Sequence, residues 1–439
     1  MEQVDHIIHA QWIITGEPNQ KPLKDHALVI KADRITAILP DDEATQKYRA
    51  KQTEKLSAHA IIPGLINAHT HIAMNYFRGM ADDLALMNWL NNHIWPAEKK
   101  WVDHDFVYNA SLFAMAEMIR CGTTCFNDMY FFLPATAEAA VKTGIRANIG
   151  ISVLDFPTQW AQNADEYLAR GMDFYAQYKN HPLVTPTMAP GHPFTVSDKT
   201  FVRIQALAEE HDLKINLHLH ETADEVNQSI EHHKKRPIKR LHDIGLMTSR
   251  LIAIHMTQLN DDDLTILNET RPGIVNCPES NMKLASGSCP VEKLKSLNLT
   301  VALGTDGAAS NNDLDMISEM RSAAFLAKLS DRNPEALSAS EALGMATMNG
   351  AKVLGLDHLI GSLKPGKAAD FAAIHLDEIE TQPLYHPVSQ IVYAGSRQQV
   401  TDTWVAGKRL MKNRELLTLD EKALIQTAKA WCEKIRRNG

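Results

Sequence analysis

The chain has 439 residues, 44% apolar and 22% charged, which is the make-up of a folded globular protein and excludes a disordered or collagen-like one. Lys+Arg 45 against Asp+Glu 53 leaves a net charge of −8 spread without blocks, which speaks against nucleic acid or an anionic membrane as the main partner. Cys121, Cys125, Cys277, Cys289 and Cys432 are too few and too scattered for a disulfide scaffold, so reduced thiols in a cytosolic protein are expected.

Met1–Gly16 puts Glu2, Asp5 and two histidines where a secretion signal needs a basic end and an apolar run. No apolar stretch reaches the roughly 18–20 residues of a membrane span. A cytoplasmic location is therefore expected. Up to about residue 60 the short runs His6–Thr15, Ala27–Lys31 and Ile35–Leu39 are separated by turn residues at Gly16–Pro18 and Asp41–Asp42, a β-rich pattern. From there the pattern becomes strand, loop, helix, repeated. Strands are predicted at Ala60–His71, Thr123–Met129, Ile145–Leu154, Leu183–Pro190, Lys214–Glu221, Leu251–Thr257, Gly273–Pro278 and Thr300–Thr305. Several are near-continuous apolar runs, as parallel strands buried on both faces require. Helices are predicted at Phe106–Arg120, which stops at Gly122, at Ala135–Lys142, which stops at Gly144, and at Asp198–His211, with Ser197 or Asp198 as its cap.

Eight strands alternating with helices over about 300 residues predict an α/β fold of the (β/α)8 barrel type, with an open doubly wound sheet as its competitor. After a helical stretch at Glu335–Leu356, short β runs return at Phe371–Ile374, Ile391–Tyr393, Val400–Val405 and Lys408–Met411, and a helical stretch, Asp420–Arg437, follows. The expected organisation is a composite β domain from residues 1–60 and 360–412, a barrel over 61–359 and a helical tail over 413–439.

The strongest local signal is Asn67-Ala-His69-Thr-His71 at the end of a predicted strand. Residues i and i+2 of a strand share a face, so two imidazoles can reach one metal from the carboxyl mouth of a barrel. A lone His-x-His is weak, but it has company. His218-Leu-His220-Glu221 ends the fifth strand, His255 the sixth, and Thr305-Asp306 the eighth. Packing does not explain four strand ends carrying such residues, because buried His and Asp cost free energy unless paired or ligated. Three imidazoles and a carboxylate suit zinc, with iron or manganese as alternatives. Spacing alone does not choose between His218 and His220. No Lys occurs in Leu183–His192, so a bridging lysine for a second metal is absent and one ion is expected.

Other motifs fail. Position 224 is Asp, so His220-Glu221 does not open a His-Glu-x-x-His helix, and Cys277-Pro278 lacks the Pro-Cys-x-x-Cys signature of zinc nucleobase deaminases. Cys121 and Cys125 have the wrong spacing for a redox pair, no glycine-rich phosphate loop occurs, and His232-His233 reads as a solvated face.

The set as a whole resembles the amidohydrolase superfamily in its cytosine-deaminase-like branch. The motifs are Pro63-Gly64-Leu-Ile-Asn67-x-His69-x-His71, Gly122-Thr123-Thr124, His218-x-x-Glu221, His255, Pro278-x-Ser280-Asn281, Gly304-Thr305-Asp306-Gly307, Gly361-Ser362-Leu363 and Gly366-Lys367-x-Ala369-Asp370. The resemblance implies a barrel with a composite β-sandwich from both termini. It implies one metal held by His69, His71, His218 and Asp306, with His220 supporting. Within the branch, Trp89-Leu-x-x-x-Ile94-Trp95-Pro96-x-Glu98 is similar to the 5′-methylthioadenosine/S-adenosylhomocysteine deaminase family. That similarity implies that Glu98 binds ribose hydroxyls, that Trp89 walls the nucleoside site, and that His192 and Ser310 line it. The family's arginines around the third strand have a counterpart only in Arg146, since 155–169 holds no Arg. Bidentate Arg pairing is what a carboxylate tail needs, so methylthioadenosine ranks ahead of S-adenosylhomocysteine and adenosine.

The implied chemistry is hydrolytic deamination. Glu221 moves a proton to the ring nitrogen, His255 bonds the attacking water or the oxyanion, and Asp306 is ligand and base. The resemblance also implies a homodimer or tetramer. The alternatives are a deaminase or hydrolase of guanine, 8-oxoguanine or an s-triazine, and a non-catalytic binding protein on the same scaffold.

Overall fold

The computed structural model describes residues 1–17 and 20–438; Pro18 of the expected first turn and Gly439 of the expected tail lie outside the described residues. Two eight-stranded sheets organise the chain. The first takes β1 (Glu2–Ile13), β2 (Leu23–Lys31), β3 (Arg34–Pro40) and β4 (Tyr48–Pro63) from the N-terminal part. The second is the succession β5 (Leu65–Thr70), β6 (Thr123–Met129), β7 (Arg146–Ser152), β8 (Val184–Ala189), β9 (Ile215–Leu219), β10 (Leu251–His255), β11 (Gly273–Asn276) and β12 (Val301–Leu303). Returning to the first sheet are β13 (Phe371–His375), β14 (Val400–Val405), β15 (Lys408–Lys412) and β16 (Glu415–Leu416).

The second sheet runs β5 to β12 in chain order, every registered pair parallel, with helices between strands. The first and last strands meet. Asp306 N donates to His69 O at 3.1 Å, and Asn67 exchanges bonds with Thr305, its Nδ2 donating to Oγ1 at 2.8 Å and its Oδ1 accepting from the backbone N at 3.0 Å. Gly304 permits that approach, since a Cβ there would stand 2.7 Å from His69 N. This is the expected (β/α)8 architecture. In the other sheet β4 joins β1 in parallel and β13 antiparallel, so the segments from the two ends of the chain form one continuous sheet with apolar clusters such as Ile8, Leu28, Phe371 and Trp404.

Three expectations need correction. The single predicted strand Ala60–His71 is two, because Gly64, whose Cβ would lie 2.0 Å from Thr124 Oγ1, marks where the chain leaves one sheet for the other. Ile391–Tyr393 is not a strand but the end of the helix Pro387–Tyr393, where Pro387 starts the helix and His386 caps it by accepting from Ser389 N at 3.2 Å. The helical stretch Glu335–Leu356 breaks at Ala346–Thr347 into Ala339–Met345 and Met348–Leu354, Thr347 leaving helical geometry at ψ −93°. No described helix is long and apolar enough to cross a membrane.

Candidate active site

A layer of amides lies inside the barrel. Asn127 Nδ2 donates to Ala68 O and to Asn216 Oδ1, both at 2.9 Å, and Asn216 Nδ2 donates to Thr187 Oγ1 at 2.8 Å. These buried bonds tie β5, β6, β8 and β9 together across the barrel interior, although Asn127 Oδ1 has no partner among the described residues.

The predicted ligands converge at the carboxyl ends of their strands. The ligand atoms of His69, His71, His218 and Asp306 all lie within 4.8 Å of one another. His71 Nε2 is 3.1 Å from His218 Nε2, and Asp306 Oδ1 is 3.2 Å from His69 Nε2 and 3.3 Å from His71 Nε2. A tetrahedral cation with bonds of about 2.0–2.1 Å separates its ligand atoms by about 3.3 Å, so the spacing fits a small divalent ion. The tautomers fit as well. His71 Nδ1 lies 2.6 Å from Met129 O and His218 Nδ1 lies 2.8 Å from Gly191 O, so each Nδ1–H donates outward and each Nε2 lone pair faces inward. Two lone pairs facing each other at that distance call for a cation between them. His69 is fully buried with neither ring nitrogen hydrogen-bonded. Burial holds its pKa down to about 4 despite Asp306, and burial with the adjacent imidazoles holds His218 well below the usual imidazole range, so both favour the neutral base a metal needs.

Asp306 is aimed from behind. Its Oδ2 accepts from Ser280 Oγ at 2.7 Å and Ser310 Oγ at 2.9 Å, leaving Oδ1 for the ligand cluster. Burial raises its pKa, but the adjacent His69 and His71 imidazoles outweigh that and keep it well below the usual carboxylate range. Asp306 and His255 adopt left-handed backbone, φ +64° and +75°, which non-glycine residues rarely do and which the surrounding structure must enforce.

His220 settles the ambiguity with His218. The strand ends at Leu219, and His220 turns away in the left-handed region, φ +55°, its Nδ1 2.9 Å from Gln258 O and its Nε2 3.2 Å from Ile238 N. It fills a buried niche away from the ligand cluster.

Glu221 and His255 stand beside the centre, with Glu221 Oε2 3.7 Å from His255 Nε2. Burial raises the Glu221 carboxyl, with His255 opposing and Asp306 adding to the shift. His255 Nδ1 is 2.9 Å from Asn281 Oδ1, which orients the ring. Glu221 and His255 join His71, His218 and Asp306 in lining a cavity of about 570 Å³, whose wall also includes Trp89, Glu98, His192 and Ser310. Glu98 Oε1 accepts from Tyr130 Oη at 2.8 Å, and burial carries its carboxyl up to about 7 against the opposing pull of that bond and of His71.

Arg146 is the exception and a correction. As the first residue of β7 it sits at the opposite end of the barrel from the strand carboxyl ends, does not line the cavity, and is ion-paired with Asp370, Nε to Oδ2 at 2.5 Å and Nη2 to Oδ1 at 3.1 Å.

Three residues escaped the sequence reading. Tyr130 fixes Glu98. Ser280, quoted only as part of a motif, orients Asp306. Glu225 accepts from the backbone N–H of His220 at 3.0 Å and of Glu221 at 2.6 Å, and lies 3.4 Å from His192 Nε2. The available signal for Glu225 was its place four residues after Glu221, in the first turn of the helix Ala223–His233.

A match to the amidohydrolase family covers residues 60–410. The chain is 44% identical over 432 residues to a 5-methylthioadenosine/S-adenosylhomocysteine deaminase of Teredinibacter turnerae, covering 98% of both chains. It is equally 44% identical to one of Saccharophagus degradans, covering 98% of this chain and 97% of the other. Among solved structures, an adenosine deaminase from Xanthomonas campestris with bound zinc superposes with a TM-score of 0.97 at 44% identity over 99% of both chains. An atrazine chlorohydrolase from Arthrobacter aurescens, at 22% identity and a TM-score of 0.91 over 97% of this chain and 100% of its own, shares the fold. The chain belongs to the amidohydrolase family and, within it, to the 5-methylthioadenosine/S-adenosylhomocysteine deaminases.

Proposed function

We propose that the protein is a zinc-dependent hydrolytic deaminase of adenine nucleosides, with 5′-methylthioadenosine preferred over S-adenosylhomocysteine and adenosine. The carrying observation is the pairing, in one cavity, of a three-histidine, one-carboxylate cluster with a carboxylate that Tyr130 holds in the wall. The first suits deamination of a ring carbon and the second suits ribose hydroxyls. The 44% identical Xanthomonas structure, which holds zinc, supports the choice of ion.

His69, His71, His218 and Asp306 would hold the ion, which supplies Lewis acidity and lowers the pKa of water toward about 7. Glu221, whose carboxyl burial raises, gives a proton to the ring nitrogen beside the amino-bearing carbon, so negative charge does not accumulate there. His255, its Nδ1 committed to Asn281, presents Nε2 to the oxygen at the attacked carbon. Asp306 Oδ1 takes the water proton and passes it toward departing ammonia, while the two serines keep Oδ2 occupied. Glu98 accepts from the ribose hydroxyls, Trp89 walls the sugar, and His192, with Glu225 beside it, meets the substrate from the β8 side.

The preference for a methylthio group rests on the wall beyond the sugar. Leu154, Phe156, Pro157, Trp160 and Phe194 line it and, among the described residues, no arginine does, which leaves a zwitterionic homocysteine tail no bidentate partner there. The same reading carries a cytoplasmic homo-oligomer whose partner is a small nucleoside, in keeping with a net charge of −8. The test is a panel of methylthioadenosine, S-adenosylhomocysteine, adenosine, guanine and an s-triazine, followed by ammonia release and ultraviolet change on metal-replete protein. Highest kcat/KM for methylthioadenosine supports the reading. Turnover of guanine or the triazine with none of the adenosines overturns it.

A further inference from the structure

The wall that carries Glu98 is one helical run, Leu86–Trp101, interrupted by a π-helical turn at Leu90–Ile94 and without a side-chain cap at its start, Ala85, or its end, Val102. A run of this length is marginal by itself in water, so its position depends on what it packs against. Its polar ties include Tyr130 on Glu98 and the bond from Gln159 Nε2 to Lys99 O at 3.0 Å.

Part of its apolar support comes from the far end of the chain. The helix Glu421–Asn438 lies across the helix His104–Arg120 and reaches the turn Ile72–Phe77 that follows the ligand His71. The Trp431 ring meets Phe106 edge-on at 5.2 Å and Tyr76 at 6.3 Å, and Phe106 in turn packs on Phe77 at 5.0 Å. Lys434 Nζ lies 4.1 Å over the Trp431 ring and 5.6 Å over Trp101, the last residue of the helix bearing Glu98. Ile435, 9% exposed, belongs to the same apolar cluster as Met74, Trp89 and Ile94. One continuous body of side chains therefore runs from the tail to the cavity wall.

We propose that Trp431, with Lys434 and Ile435, is a positioning residue for Glu98, so that the C-terminal helix sets nucleoside affinity without touching substrate. The inference rests on the reading of Glu98 as the ribose acceptor. A loosened Trp101 lets the helical run drift, and the loss falls on binding while the strand-end groups stay in place. The experiment measures KM, kcat, metal content and thermal midpoint for Trp431→Ala, Trp431→Phe and Lys434→Ala in the full-length, metal-replete protein, alone and combined with Glu98→Gln. Trp431→Ala should raise KM about tenfold with kcat within about threefold and metal content unchanged, Trp431→Phe should restore KM, and Lys434→Ala should give a smaller rise. In the Glu98→Gln background the Trp431→Ala effect should vanish, because both remove the same contact. A KM unchanged in both Trp431→Ala and Lys434→Ala, or the same KM rise with and without the Glu98 carboxylate, overturns the proposal. If Trp431→Ala fails to fold, Lys434→Ala, whose side chain is exposed, carries the test. Should Glu98→Gln alone leave KM untouched, it is the ribose reading that fails, a result distinguishable from failure of the tail.

Discussion

At the metal end of the cavity, each functional group sits on or just beyond a barrel strand, and in four of them the second polar atom is already engaged: Met129 on His71, Gly191 on His218, two serines on Asp306, Asn281 on His255. At the far wall, Glu98 rides on an uncapped helical run, with Tyr130 bonded to its carboxylate. The first region is over-determined by backbone and hydrogen bonds, the second rests mainly on apolar packing. The metal-binding groups are placed on strands, which resist displacement, and the Glu98 wall on an element able to yield.

Perturbations should separate the two ends. Stripping the ion with a chelator, or replacing Asp306 by Asn, should abolish turnover, and restoring the metal should recover only the chelated wild type. Glu221→Gln should retain metal while kcat falls at least about 10²-fold, as metal analysis beside steady-state kinetics will show. Because the Glu221 pKa is raised and the protonated form is the donor, wild-type kcat should also fall as pH rises through it. Glu98→Gln should act on the other end, raising KM roughly tenfold or more with kcat little changed. Burial carries the Glu98 carboxyl up to about 7, and on the reading of Glu98 as the ribose acceptor the ionised form offers both oxygens where the protonated form loses acceptor capacity, so KM should climb as pH drops below about 7, and that limb should disappear in Glu98→Gln. The smallest kinetic effect belongs to Arg146→Met, away from both ends. Breaking its buried pair with Asp370 should cost about 3–5 kcal/mol in denaturant unfolding while KM for methylthioadenosine stays put.

The metal cluster was legible because its residues carry a double mark in sequence: ligand chemistry, and a place where an apolar strand-like run ends. His69, His71, His218, His255 and Asp306 all bear it. The His218/His220 choice was not legible from spacing, since it turns on one residue entering the left-handed region where the strand stops. Arg146 misled because residue type was read without position. The first residue of a parallel barrel strand faces the end opposite the carboxyl mouth, and there Arg146 bonds to a residue distant in sequence. Gly64 hid a change of sheet inside one apolar run, because pattern shows alternation and burial but not which neighbour a strand pairs with. Tyr130, Ser280 and Glu225 act by orienting other groups, a role with no residue-type signature of its own.

The bare backbone of Gly304 beside His69 has a consequence for how the protein comes into being. The strand carrying the first imidazole is made early and the carboxylate ligand follows the last strand of the barrel, so the two meet only when the ring of strands shuts. An ion that binds both is a latch on that seam. A side chain at 304 should therefore leave a chain that gapes and cannot load its metal, so that maturation of the enzyme and the final act of folding are a single event.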